Sequence, residues 1–188
     1  MNPRRERVFG TTPPLRKHDD VAALFSRALA SQCLGHVAEA QVGYRKILKK
    51  RANHFDALHM LGVCEHLSGN SQAAARSLKR ALLLDPQSTP AHLALGMVLA
   101  ALQRPEEALA CFDQLIALKP DFADAHFNRG NLLLAIRRFT EAVASFDEVI
   151  AIETHHLLAL SNRGQALHHL ERYIDAIASY NRALAVKP

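Results

Sequence analysis

The chain repeats itself every 34 residues, and any fold assigned to it must honour that period. Gly62, Gly96, Gly130 and Gly164 form one column, with Ala28 one step before them. Ala40, Ala74, Ala108, Ala142 and Ala176 form a second. Tyr44, Leu78, Phe112, Phe146 and Tyr180 form a third, all of them large. Ala52, Pro86, Pro120, Thr154 and Pro188 form a fourth. Four columns in one register divide the chain into segments 21–54, 55–88, 89–122, 123–156 and 157–188, behind a polar leader at 1–20 that is expected to be disordered.

Each segment reads as two amphipathic helical stretches around a short polar turn. In the third, helix A covers about residues 89–102, "QRP" turns the chain, and Pro105 opens helix B with Glu106 and Glu107 behind it. Proline suits a first helical turn, and acidic side chains there suit the helix dipole. Lys119-Pro120 then stops the helix, because proline cannot continue it.

The glycine column lies inside helix A, most plainly in "FNRGNLL" (127–133) and "SNRGQAL" (161–167). A glycine there costs about 1 kcal/mol relative to alanine. Its recurrence predicts that helix B of the same repeat approaches too closely for a Cβ. The alanine column is expected to form the other side of that contact.

Spacing and residue type together resemble the tetratricopeptide repeat over residues 21–188: small residues at the eighth and twentieth positions, a bulky one at the twenty-fourth and proline at the thirty-second. The first segment is the weakest copy. The resemblance implies an all-α, right-handed superhelical solenoid of about five helix-turn-helix repeats whose A helices line a concave surface. It also implies binding of a partner protein or peptide in that groove.

On such a face Asn128 and Asn131 are an i,i+3 pair, as are Asn162 and Gln165. Stacked repeats would bring the four amides into a polar ladder that can both donate to and accept from a peptide backbone. His59 and His66 fall on the same presumed face, seven residues apart. Arg129 and Arg163, in a column that is Leu61 and Leu95 earlier in the chain, are expected to snorkel from an inter-helix seam or to pair with acidic groups.

"KPDFADAHFNRGNLL" (119–133) further resembles the repeats of O-linked N-acetylglucosamine transferases and Spindly-type proteins. In those repeats an asparagine at the position of Asn128 and Asn162 holds substrate backbones. Ser26, Met60 and Ala94 depart from that pattern. This resemblance implies an alternative reading, the N-terminal substrate-recognition arm of a larger glycosyltransferase. A family mode that clamps a terminal carboxylate with lysines finds His59, Leu93 and Phe127 where those lysines would stand.

The remaining features narrow the function class. Net charge is +5, yet residues 1–51 carry 11 Lys/Arg against 4 Asp/Glu while residues 52–188 carry 12 against 14. Basicity is therefore local, much of it in Arg45–Arg51, and without interleaved aromatics it does not point to nucleic acid. Three cysteines without a CxxC pattern suggest neither a disulfide framework nor a zinc site. His155-His156 and His168-His169 lack the i,i+4 spacing of a helical metal site. No catalytic motif, cofactor fingerprint, signal peptide or apolar run of membrane-spanning length is present. The expectation is a non-catalytic cytoplasmic scaffold, without cofactor or metal. The last helix carries Ile174, Ile177, Leu184 and Val186 on a face that a further repeat would cover. That face implies self-association or a chain that continues past Pro188.

Overall fold

The computed structural model describes residues 17–186, and within them the chain is ten α-helices and no strand. They are α1 (Lys17–Cys33), α2 (Val37–Lys50), α3 (Phe55–Leu67), α4 (Ser71–Leu84), α5 (Thr89–Ala101), α6 (Pro105–Leu118), α7 (Ala123–Ala135), α8 (Phe139–Ile152), α9 (Leu157–His169) and α10 (Tyr173–Val186). Helix α1 starts four residues inside the segment expected to be a disordered leader. The rest of that leader, residues 1–16, lies outside the described residues, as do Lys187 and Pro188.

Odd-numbered helices are the A helices and even-numbered ones the B helices. Each packs on its neighbours in the chain, and α3, α5, α7 and α9 also touch in succession. The A helices therefore line the inner side of an all-α superhelical solenoid.

Every A-to-B turn closes in the same way. The residue at the turn has positive φ: Gly35 (79°), Gly69 (79°), Gln103 (57°), Arg137 (64°) and Glu171 (59°). In the third repeat Gln103 N–H donates to Ala100 O (3.0 Å) and Arg104 N–H to Leu99 O (3.0 Å), the paired bonds of a Schellman motif. The same pair recurs in the other four repeats. Glycine relieves the left-handed backbone only in the first two. Arg104, Arg138 and Arg172 then occupy the N-cap of helix B and pair with Glu107, Glu141 and Asp175 one turn on. Those acids lie in the first turn, where the helix dipole favours them.

The glycine column differs from expectation in one respect. The bulky column makes the closest contact at all four glycines, and of the alanine column only Ala74, its carbonyl 3.3 Å from a Cβ built on Gly62, is among the nearest groups. A Cβ built on Gly96 would lie 2.5 Å from Phe112 Cε1, on Gly130 2.7 Å from Phe146 Cε1, and on Gly164 2.6 Å from Tyr180 Cε1. On Gly62 it would lie 2.6 Å from Leu78 Cγ. The bulky side chain sixteen residues later fills the space over the bare backbone, because it reaches further across the helix pair than an alanine methyl. In the first repeat the arrangement is inverted. Ala28 stands in the glycine column, and Gly43 on α2 faces it, 2.7 Å from an added Cβ to Ala28 Cβ. The weakest copy of the pattern thus keeps the close approach by moving the glycine to the opposite helix.

Burial also sorts the cysteines. Cys33 is exposed, Cys64 is buried and Cys111 is half-buried. Burial raises the Cys64 thiol pKa and pushes that of Cys111 up to about 11. Only the thiolate is nucleophilic, so at pH 8 a thiol reagent should label Cys33 in the native chain well before the other two. All three should label together in denaturant, as intact-mass spectrometry over time would show. Equal native rates would contradict the packing around Cys64 and Cys111.

Candidate functional site

The residues expected to face the groove all stand on A helices. Asn128 and Asn131 lie on α7, Asn162 and Gln165 on α9, His59 and His66 on α3. The structure joins two of the four amides: Asn162 Nδ2 donates to Asn131 Oδ1 at 2.7 Å, across 31 residues of sequence and from one repeat to the next. Asn128 turns back on its own helix, Nδ2 donating to Asp124 O at 2.7 Å. Gln165 is exposed. The ladder is thus one inter-repeat rung with single amides on either side.

Asn128 and Asn131 also edge a cleft of about 370 Å³ between the third and fourth repeats, walled by Met97, Ala100, Leu132 and Ile136. Met97 is among the exposed large apolar side chains of the chain. A polar rim beside an apolar recess is the usual composition of a recognition site.

The two histidines of α3 differ. His59 stacks on Phe55 (6.0 Å between centroids, 20° between planes), and burial lowers its pKa against the opposing pull of Asp56. At neutral pH it presents a neutral ring where a family carboxylate clamp would need a cation. His66 Nδ1 lies 3.1 Å from Ser71 Oγ at the start of α4, tying the end of one helix to the beginning of the next.

Arg129 and Arg163 are held inside the protein framework. Arg129 Nε donates to Asp113 Oδ1 (2.7 Å) and Nη1 to Ser145 Oγ (2.7 Å). Arg163 repeats this with Asp147 (2.5 Å) and Ser179 (2.6 Å). Each guanidinium therefore fastens helix B of the preceding repeat to both helices of its own, the acidic pairing anticipated from sequence. At the first seam the polarity is reversed. Arg45 Nη2 on α2 donates to Glu65 Oε1 on α3 (3.0 Å), and Ser77 Oγ on α4 donates to Glu65 Oε2 (2.8 Å). That seam was not legible beforehand, because Glu65 falls in a column that is Leu99, Leu133 and Leu167 later in the chain. It also gives one member of the basic run a structural role.

The paired histidines have structural partners too. His156 caps α9, its Nδ1 accepting from Ala159 N–H at 3.1 Å, and its ring packs on Phe127. His169 stacks on Phe139 at 4.5 Å. Among the described residues no three His, Cys, Asp or Glu side chains gather where a metal could sit, and no helix is long and apolar enough to cross a membrane.

Residues 25–92 and 93–153 match one family pattern described as tetratricopeptide repeat, and residues 158–188 match another of the same description. The chain is a tetratricopeptide repeat protein. No curated protein sequence matches this repeat protein significantly. Solved structures do. A MamA protein superimposes with a TM-score of 0.85 at 22% identity, covering 90% of this chain and 93% of that one. MamA from Desulfovibrio magneticus RS-1, from residue 41 to its end, gives 0.85 at 15% identity, covering 90% and 96%. YrrB, described as a TPR protein with an unusual peptide-binding site, gives 0.79 at 21% identity, covering 92% and 89%. At these identities the likeness is one of fold. Tetratricopeptide repeats are interaction modules, so a protein-binding scaffold is the class of function that fold and family support.

Proposed function

We propose that this tetratricopeptide protein is a non-catalytic cytoplasmic scaffold that holds an extended segment of a partner protein along its inner face. The observation that carries the reading is the Asn131–Asn162 rung beside the cleft. With Nδ2 of Asn162 donating to Oδ1 of Asn131, the pair still offers the amide hydrogens of Asn131 and the carbonyl of Asn162. An extended peptide offers the matching carbonyl and N–H at each residue. Asn128, its Nδ2 engaged with Asp124 O, keeps its side-chain oxygen as a further acceptor. The recess walled by Met97 and Leu132 would take one apolar side chain of the bound segment. YrrB, with its described peptide-binding site, lends support by fold.

Selection of binders from a displayed random-peptide library, followed by calorimetry, tests this. Selected peptides should be extended and carry an apolar anchor. The double variant Asn128→Ala/Asn162→Ala should bind them about thirtyfold more weakly, since it removes two hydrogen bonds worth on the order of 1 kcal/mol each. Helicity by circular dichroism should not change. Undiminished binding by the double variant would remove the amides from the site.

A further inference from the structure

We propose that the exposed faces of α1 and α10 are complementary, so that α10 of one copy of this 188-residue chain docks on α1 of a second copy, head to tail, as α8 docks on α9 within the chain. The internal contact supplies the template. On α8, Val143 and Ile150 flank Asp147 at i−4 and i+3, and on α9, Ala159 and Ala166 flank Arg163 in the same spacing. Asp147 and Arg163 bridge the helices at 2.5 Å, and the four apolar residues are at most 8% exposed.

The period carries both halves of that contact to the ends of the array. One step beyond Val143, Asp147 and Ile150 stand Ile177, Asn181 and Leu184 on α10. Ile177 is 59% exposed and Leu184 63%, against 7% and 8% for their counterparts on α8. At the other end, Ala23, Arg27 and Ala30 on α1 occupy the columns of Ala159, Arg163 and Ala166. All three are exposed, whereas Ala57, Ala91, Ala125 and Ala159 are at 0%. The unpartnered face of α10 is a helix B surface, and the unpartnered face of α1 is the kind of helix A surface that four internal seams bury.

In such a contact Arg27 would donate to the Oδ1 of Asn181 where Arg163 meets Asp147, a weaker bond because the acceptor is neutral. Segment 21–54 carries net +5 and segment 157–188 net +2, so the approaching ends repel at long range. Salt screens that repulsion, and association should strengthen as salt is added. Because the two surfaces differ, the contact does not close on itself, and assembly continues past the dimer.

Sedimentation of the 188-residue chain over a range of concentrations tests the proposal, with circular dichroism to check that each variant keeps its helicity. The mean mass should rise above 20.8 kDa with concentration and without a plateau at the dimer. Ile177→Asp and Ala23→Asp, both at exposed sites, should each be monomeric alone, and mixing them should yield 1:1 dimers through the remaining intact faces. Asn181→Asp, which installs the internal Asp–Arg pair, should lower the concentration for half-assembly several-fold. If Ala23→Asp assembles as well as the wild-type chain while Ile177→Asp does not, α10 pairs with itself and the head-to-tail contact is wrong. A wild-type chain that stays monomeric at every concentration overturns it as well, whatever then covers the two faces.

Discussion

Phe146→Ala is expected to destabilise the fourth repeat by about 3–5 kcal/mol, the range for removing a fully buried aromatic ring. Phe146 is at 0% exposure and lies against the backbone of Gly130, with three ring carbons within 3.0 Å of where a Cβ would stand. From the other side, Gly130→Leu adds atoms where the ring already is. Overpacking of this kind costs about 1–3 kcal/mol, more than the helix-propensity gain of under about 1 kcal/mol for leaving glycine. The two substitutions together should be less damaging than their sum, because the leucine enters space the ring has vacated. A coupling of about 1 kcal/mol or more is the expected reading. Urea denaturation of the three variants measures it, with amide exchange in α7 and α8 locating the loss, since repeat arrays open by neighbouring units. Strict additivity would mean that the glycine column exists for some reason other than the ring that covers it.

The second large effect is at the first seam. Glu65 is 5% exposed and held by Arg45 and Ser77. Arg45→Ala leaves a buried carboxylate without its cation. Breaking a buried pair in this way costs about 3–5 kcal/mol, and half-exposure of the arginine side chain reduces the expectation to about 2 kcal/mol. Glu65→Leu, by contrast, should leave stability unchanged or raise it. It installs the residue found at the same position in the next three repeats, where Leu99, Leu133 and Leu167 are all at 1% exposure or less. Ser77 would then bond the carbonyl one turn back, as Ser145 bonds Glu141 O and Ser179 bonds Asp175 O. In the Glu65→Leu background, Arg45→Ala should have little effect. A full loss persisting there would show that Arg45 acts by covering apolar surface with its stem.

If both results hold, tight packing within a repeat and ionic fastening between repeats are separate devices, and only the first recurs in every repeat, with its glycine moved to the opposite helix in the first. The polarity of the fastening turns over along the array. The cation is on helix B at the first seam (Arg45) and on helix A at the third and fourth (Arg129, Arg163). At the second seam the corresponding positions are Lys79 and Leu95; Lys79 pairs instead with Glu107 at 3.1 Å. The first three seams therefore differ in their side-chain code within a common backbone geometry, which disfavours slippage among them, while the fourth repeats the third.

The sequence by itself determined the helix count in each repeat, the proline-led start of α6, the positions of close approach and the family. Each follows from a rule that operates within one repeat and is copied at a fixed interval, so reading one copy reads them all. It also placed Asn128, Asn131, Asn162, Gln165, His59 and His66 on A helices, because a helix face is set by residue spacing. The tertiary structure decided what those groups touch. Asn128 bonds Asp124 O within its own helix, whereas whether Asn162 reaches Asn131 depends on how far one A helix is shifted and rotated against the next. That offset is set by the packing of whole repeats. The same reason hid the seam at Glu65 and the bulky side chain over each glycine of the column. Both are contacts between helices, and a period of 34 states which residues correspond without stating which ones meet.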